Sequence, residues 1–421
     1  MPWKETCAVD ERMRFVVEYQ EGLETMAELC RAYGISRQSG YKWVWRYADL
    51  GPPGLLDRSR GPRCHPNAVR PEIVQAVLEA RAAHPTWGPK KLRVWLEGRS
   101  SGRWWPAAST IGDILTRHGL TVPRKKRRRT PPYTEPFASC DGPNAVWCID
   151  FKGWFRTGDG TRCDPLTISD AFSRYVVRCQ ALGDTRYATV RPLIEAAFRE
   201  YGLPWAIRSD NGCPFASRGI AGLSRLSVWW LRLGIVPERI DLGRPDQNGR
   251  HERMHRTLKA ETASPPASSI RAQQRSFDRF REEFNEERPH EALGQVTPAS
   301  VYGPSPRPYP ARLGPVEYPA GLLVRVVQKN GEFYWHRHRV FLGEAFGYER
   351  IGLEPLDGKY WTVYFSTFAL GVFDSHRHRM LTANEAAKVA ADDRFGRPFR
   401  YAPGPAEPVA PPRNVSTMCP V

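Results

Sequence analysis

The strongest constraint on this chain's fold is a change of periodicity near Asn144. Before that point apolar residues recur at helical spacing. After it, AVWCIDFKGWF, RCDPLTISDAF and RYVVRCQAL are rich in Val, Ile and aromatic residues and predict three successive strands in an antiparallel meander. TRYATVRPLIEAAFREYG then predicts a helix that leads through Gly202 and Pro204 into the short strand WAIRSD. SRLSVWWLRLG gives another helix, IVPERI another strand, and RHERMHRTLKAE a closing helix. The predicted order is β-β-β-α-β-α-β-α.

The flanks differ from this core. Between Glu11 and Ala48, ERMRFVVEYQEG, ETMAELCRAYG and SRQSGYKWVWRYA predict three helices with a tight Gly34-Ile35 turn, the silhouette of a helix-turn-helix. Ala27, Leu29, Cys30, Tyr33, Ile35, Tyr41 and Val44 supply its apolar positions, while Ser36 caps the last helix and turns Arg37, Gln38 and Lys42 outward as DNA-contacting candidates. A second helical unit follows in PEIVQAVLEARAAHP, KKLRVWLEG and ASTIGDILTRHG. The unbroken basic run Arg124, Lys125, Lys126, Arg127, Arg128 and Arg129, with prolines after it, predicts an extended arm along phosphates; a solvated linker and a nuclear-localisation run are the other readings. Beyond the proline-rich GPSPRPYPAR, the segments GLLVRVVQ, EFYWHRHRVFL, ERIGLEPL and YWTVYFS predict a small all-β barrel, and the end of the chain predicts a disordered tail. The expected divisions are 1–60 helix-turn-helix, 61–121 second helical unit, 122–140 basic linker, 141–302 core, 303–315 linker, 316–382 barrel and 383–421 tail.

The net charge of +17 is unevenly spread: residues 58–129 hold 17 Lys/Arg against 4 Asp/Glu. Such a stripe fits a polyanion, whose counterions are released as phosphates are neutralised. Nine cysteines form no Cys-x-x-Cys pair, so reduced thiols and a cytoplasmic setting, nucleoid-associated when on DNA, are expected. No apolar run reaches the roughly 18 residues of a membrane span.

Three acids stand where strand ends and a helix can gather them. Asp150 ends VWCID, Asp210 ends WAIRSD before the Asn211-Gly212 turn signal, and Glu252 lies just inside the helix RHERMHRTLKAE. All three are expected to be presented to solvent. Phosphodiester chemistry develops charge on an anionic centre, and two hard divalent ions held by carboxylates answer that need, Mg²⁺ first and Mn²⁺ as a substitute. Arg256 and Lys259 are placed to meet nearby phosphate. Taken one at a time, the same acids read better as ordinary surface acids, Asp210 as part of a turn and Glu252 as an i,i+4 ion-pair partner of Arg256.

Read together, WCIDFKG, IRSDNG, DQNGRHERMHRTLKAE and FNEERPHEALGQVTP resemble the motifs of bacterial insertion-sequence transposases of the retroviral-integrase superfamily, close to insertion-sequence families 3 and 481. The resemblance implies a ribonuclease H-like core in which Asp150, Asp210 and Glu252 bind metal and catalyse. It also implies structural roles for Asn285, Arg288, Pro289 and His290, tandem helix-turn-helix units in front and a barrel behind. The implied activity is binding of terminal inverted repeats in double-stranded DNA, then 3′-end cleavage and strand transfer by a homo-oligomer. An inactive DNA-binding regulator and a ribonuclease H-like nuclease are the alternatives. Asp246, separated from Asp210 by 35 residues, rivals Glu252, which is separated from it by 41; the helix register favours Glu252. Asp170 is expected to shape a hairpin.

Overall fold

The computed structural model describes residues 7–58, 68–100, 102–121, 140–240 and 249–390. The basic run Arg124 to Arg129 and the rival Asp246 lie outside the described residues. The chain divides into two compact units, Met1–Arg70 and Pro71–Val421.

In the first unit, α1 (Ala8–Glu21), α2 (Met26–Ala32) and α3 (Arg37–Leu50) enclose Phe15, Val16, Met26, Leu29, Cys30, Trp43 and Leu55. Each turn has its own chemistry. Thr25 and Glu28 form a reciprocal capping box on α2, and Ser36 accepts the Ser39 amide at 3.2 Å to start α3. Gly40 is where α3 crosses closest: a Cβ there would lie 2.6 Å from Cys30 Sγ and 2.9 Å from Phe15 Cζ. Tyr41, expected inside, is exposed and stacks on exposed Trp45 with ring centroids 5.7 Å apart.

The second unit opens with α4 (Pro71–Ala83), α5 (Pro89–Arg99) and α6 (Ala108–Arg117), which bury Val77, Trp87, Leu92, Ile111 and Leu115. The sheet that follows is built from β1 (Val146–Phe151), the short β2 (Phe155–Arg156), β3 (Arg162–Asp170) and β4 (Val176–Leu182), then α7 (Tyr187–Tyr201), β5 (Ala206–Ser209), α8 (Arg225–Arg232) and β6 (Val236–Arg239). β3 pairs antiparallel with both β1 and β4, whereas β5 runs parallel to β1 and β6 parallel to β5. The spatial order β4-β3-β1-β5-β6 is that of a ribonuclease H-like fold. Its core joins Trp147, Ile149 and Ile168 of the sheet to Ile194 and Phe198 of α7 and Trp230 of α8.

Two helices complete the layer, α9 (Gly249–Thr262) and α10 (Ile270–Glu282). An unpaired strand edge needs cover. Along β4 it is supplied by side chains of α10 and the turn after it: Gln274 bonds the Ala181 amide and Cys179 carbonyl, Arg281 the Val177 carbonyl, and Asn285 both the amide and the carbonyl of Val176.

The C-terminal sheet has the order β13-β12-β11-β10-β7. Its strands are β7 (Leu323–Val326), β10 (Arg350–Pro355), β11 (Tyr360–Phe365), β12 (Phe368–Asp374) and β13 (Arg379–Met380), and the hairpin of β8 (Glu332–Trp335) and β9 (His338–Phe341) completes one core around Phe333, Val340, Phe365 and Phe373. EFYWHRHRVFL is therefore two strands, not one, because His336 takes a left-handed φ of 53° and reverses the chain. A short helix, α11 (Ala383–Ala390), occupies the start of the segment expected as tail.

Candidate active site

Asp150 lies near the end of β1, Asp210 directly follows the parallel neighbour β5, and Glu252 is in the first turn of α9. Parallel strands that end side by side deliver their C-terminal residues to the same rim of the sheet. The Asn211 side chain donates to the Ile240 carbonyl at 2.9 Å and holds the loop after β5 against β6. Gly212 has a steric reason: a Cβ there would come within 2.9 Å of Asp210 Oδ2.

The expectation that all three acids are presented to solvent holds only for Glu252. The Asp150 side chain is 20% exposed, and Oδ1 of Asp210 is buried without a hydrogen-bond partner among the described residues. Burial first, then the charge of Asp210 and more weakly that of Glu252, push the Asp150 carboxyl up to about 7, against the Phe151 amide and Lys152. The three acids thus sit within electrostatic reach of one another. A carboxylate oxygen buried without a donor, beside another whose ionised form is disfavoured, is the surrounding a divalent cation would relieve. The residues present fit such an ion.

Sequence reasoning missed four residues at this rim. Thr167 and Ser169 on β3 and His251 and His255 on α9 are all buried. Thr167 Oγ1 lies 2.7 Å from His251 Nε2, 2.6 Å from His255 Nε2 and 3.2 Å from the Asp150 carbonyl; Ser169 Oγ lies 2.8 Å from His251 Nδ1. Burial drives the His251 imidazole down to about 3 and, with His251 and Lys152 nearby, that of His255 down to about 2, so both are neutral. The approach of His255 Nδ1 to Asp150 Oδ2 at 3.8 Å is therefore no ion pair. The signal was present in the sequence: His251-Glu252-Arg253-Met254-His255 has two histidines four apart on one helical face, in the letters of the His-Glu-x-x-His zinc motif.

Arg256 and Lys259 are exposed on α9, and Lys259 lines a cleft of about 110 Å³ with Lys152 and Trp154. Asp170 is buried and accepts the Asn144 and Ser173 amides at 2.8 and 2.7 Å, which fixes the turn between β3 and β4. Asn285 holds the edge of β4, and Arg288 pairs with Glu261 at 2.8 Å. In the first unit Arg37, Gln38 and Lys42 are exposed on α3.

Family models described as "Integrase core domain" match residues 141–245 and 233–298, and models described as "Helix-turn-helix domain" and "Homeodomain-like domain" match 11–63 and 39–115. The chain is 30% identical, over 43% of its length and 64% of the relative's, to an uncharacterized 31.7 kDa protein of insertion element IS407 from Burkholderia multivorans. It is 28% identical, over 42% of its length and 49% of the relative's, to an uncharacterized 39.2 kDa protein of insertion element IS476 from Xanthomonas euvesicatoria. It thus spans less than two thirds of either relative. Among solved structures, a simian T-cell lymphotropic virus intasome chain aligns over 69% of this chain and 93% of its own at 15% identity, with a TM-score of 0.35. Integrase core matches thus run from β1 through α10, helix-turn-helix matches lie ahead of them, and the chain is similar over part of its length to proteins of bacterial insertion elements.

Proposed function

We propose that this protein is a transposase that binds the terminal inverted repeats of a mobile element and catalyses metal-dependent 3′-end cleavage and strand transfer. The reading is supported by Asp150 and Asp210 standing at neighbouring strand ends, with the charges of Asp210 and Glu252 felt at Asp150 and an oxygen of Asp210 buried without a partner among the described residues. Asp150, Asp210 and Glu252 would hold two Mg²⁺ ions, with Mn²⁺ as a substitute. Bound there, such ions supply activation of the attacking oxygen and stabilisation of the leaving one.

The chain's own residues do the rest. Asp150 and Asp210 project from neighbouring strand ends of a rigid sheet, which fixes two carboxylates before DNA arrives. Arg256 and Lys259, exposed on the same helix as Glu252, would orient the phosphate backbone. Arg37, Gln38 and Lys42 on α3 would read the repeat, and the basic run Arg124 to Arg129 would track phosphates beside it. The domain divisions drawn from the sequence serve this division of labour, and a homo-oligomer would hold two element ends at once.

Labelled terminal-repeat DNA incubated with the full chain and Mg²⁺ tests the reading. Asp150→Asn, Asp210→Asn and Glu252→Gln should each abolish cleavage and joining while repeat binding stays within a few-fold. Hydrolysis without joining would make the protein a nuclease, and binding without either would make it a regulator. Activity that survives Glu252→Gln but is lost in Asp246→Asn would move the third ligand.

A further inference from the structure

His251, His255 and Asp150 bring potential ligand atoms within 4.8 Å of one another, and the hydrogen bonds decide which of those atoms is left to bind anything. A hydroxyl has one proton to give and can accept two. Thr167 Oγ1 faces the Asp150 carbonyl, which only accepts, and the Nε2 atoms of both imidazoles. With its proton on that carbonyl, it accepts Nε2–H from His251 and from His255. His251 Nδ1 is then bare and takes the Ser169 hydroxyl proton at 2.8 Å. Both nitrogens of His251 are thereby occupied, which leaves one imidazole nitrogen where the His-Glu-x-x-His pattern would offer two.

That nitrogen is His255 Nδ1, a bare lone pair 3.8 Å from Asp150 Oδ2. The separation is too long for a hydrogen bond, and neither atom brings a proton when the carboxylate is ionised. Two donors about 2.1 Å from a shared ion would stand about 3.0 Å apart at a right angle and about 4.2 Å apart when opposed. The observed separation falls inside that window. We propose that His255 Nδ1 is a nitrogen ligand to the divalent cation held by the carboxylate rim, so that the site favours Mn²⁺ over Mg²⁺ more strongly than an all-oxygen triad would. Imidazole suits ions softer than Mg²⁺, and the Nε2–H bond to Thr167 aims the ring as outer partners of metal-bound histidines do. The inference rests on the carboxylate reading above and adds a ligand to it.

The test uses the full-length chain with Mn²⁺ alone as the probe. Electron spin-echo modulation of the bound ion should report a directly coordinated nitrogen, and the pattern should change when the protein is made with ¹⁵N-histidine. His255→Asn should lose that coupling and lower the Mn²⁺-to-Mg²⁺ affinity ratio roughly tenfold while still binding Mn²⁺. Should this variant not fold, the labelled wild-type spectrum decides alone. Mn²⁺ that binds, is released by Asp210→Asn and shows no histidine coupling overturns the His255 assignment and leaves the carboxylate reading standing. Coupling that persists in folded His255→Asn also overturns it. Mn²⁺ that does not bind, or binds regardless of Asp150→Asn and Asp210→Asn, overturns both.

Discussion

Asp150 is held where its own charge is disfavoured, and that has a measurable sign. Its folded-state pKa is raised to about 7 from an ordinary 3.8, chiefly by burial and then by Asp210. Below about pH 4 both folded and unfolded chains carry the proton. As pH rises toward 7 the unfolded chain releases it first, so the folded state loses stability across that window, and above it the loss is complete. In divalent-free buffer, Asp150→Asn should therefore melt a few degrees above wild type at pH 8 and progressively closer to it toward pH 4. Added Mg²⁺ or Mn²⁺ should raise the wild-type melting temperature at pH 8 and leave the Asn variant nearly unmoved. A variant that melts below wild type at pH 8 would mean that charge burial is not what shapes this rim. Asp150 and Asp210 drew notice in the sequence because each stands at the end of a strand, although the exposure expected of them is not found. Thr167 and Ser169 did not, since in a strand both read only as residues suited to a pleated surface, and nothing local tells that their hydroxyls meet a helix some 80 residues further on.

Among elements, the helices and strands that close on sharp chemical punctuation were the readable ones. Ser36 announced α3, and the core strands stood out as runs rich in Val, Ile and aromatic residues. The turns that escaped are those made without glycine. His336 between β8 and β9 and Ser366 between β11 and β12 take φ of 53° and 52°, a left-handed conformation that most side chains avoid, so the reversals carried no signal and β12 was not anticipated. Gly40 is the opposite case, a glycine inside a helix whose reason lies wholly in packing. With Cys30 Sγ, Met26 Sδ and Phe15 Cζ all within 2.9 Å of where a Cβ would sit, Gly40→Ala must displace these packed side chains or the helices that carry them. The expected loss is about 1–3 kcal/mol from the first unit despite alanine's better helix propensity, against about 1 kcal/mol for removing the cap with Ser36→Ala. Chemical denaturation of the two variants checks the order, and a neutral or stabilising Gly40→Ala would show that the crossing has slack.

At the scale of the whole second unit, both flanks are fastened to the helices around the central sheet, and by different means. On one side, Lys90 reaches Glu291 at 2.8 Å, Arg99 reaches Glu287 at 3.6 Å, His84 Nδ1 meets Glu283 at 2.9 Å, and Thr86 bonds Glu261. On the other, Leu223, Val228 and Leu231, from α8 and the residues just before it, share a single apolar cluster with Val327, Phe346 and Leu353 of the C-terminal β-rich region, and Arg232 pairs with Glu349 at 3.1 Å. Magnitudes rank the two fastenings. Lys90 and Glu291 are 66% and 72% exposed, so water and salt screen the pair and removing one charge should leave stability almost unchanged. Leu231 is buried, and truncating it leaves a cavity in a core that two domains use, with an expected loss of about 2–5 kcal/mol. Connector residues tie in here too: Arg307 bonds the Pro204, Leu233 and Gly234 carbonyls, strapping the proline-rich segment across the end of α8. The C-terminal sheet and the ribonuclease H-like core should consequently unfold together, and Leu231→Ala should lower one shared calorimetric transition by several degrees. Lys90→Ala should leave that transition in place. Separate transitions for core and C-terminal sheet, or a Lys90→Ala loss as large as that of Leu231→Ala, would refute this ranking and make the ion pairs the stronger fastening.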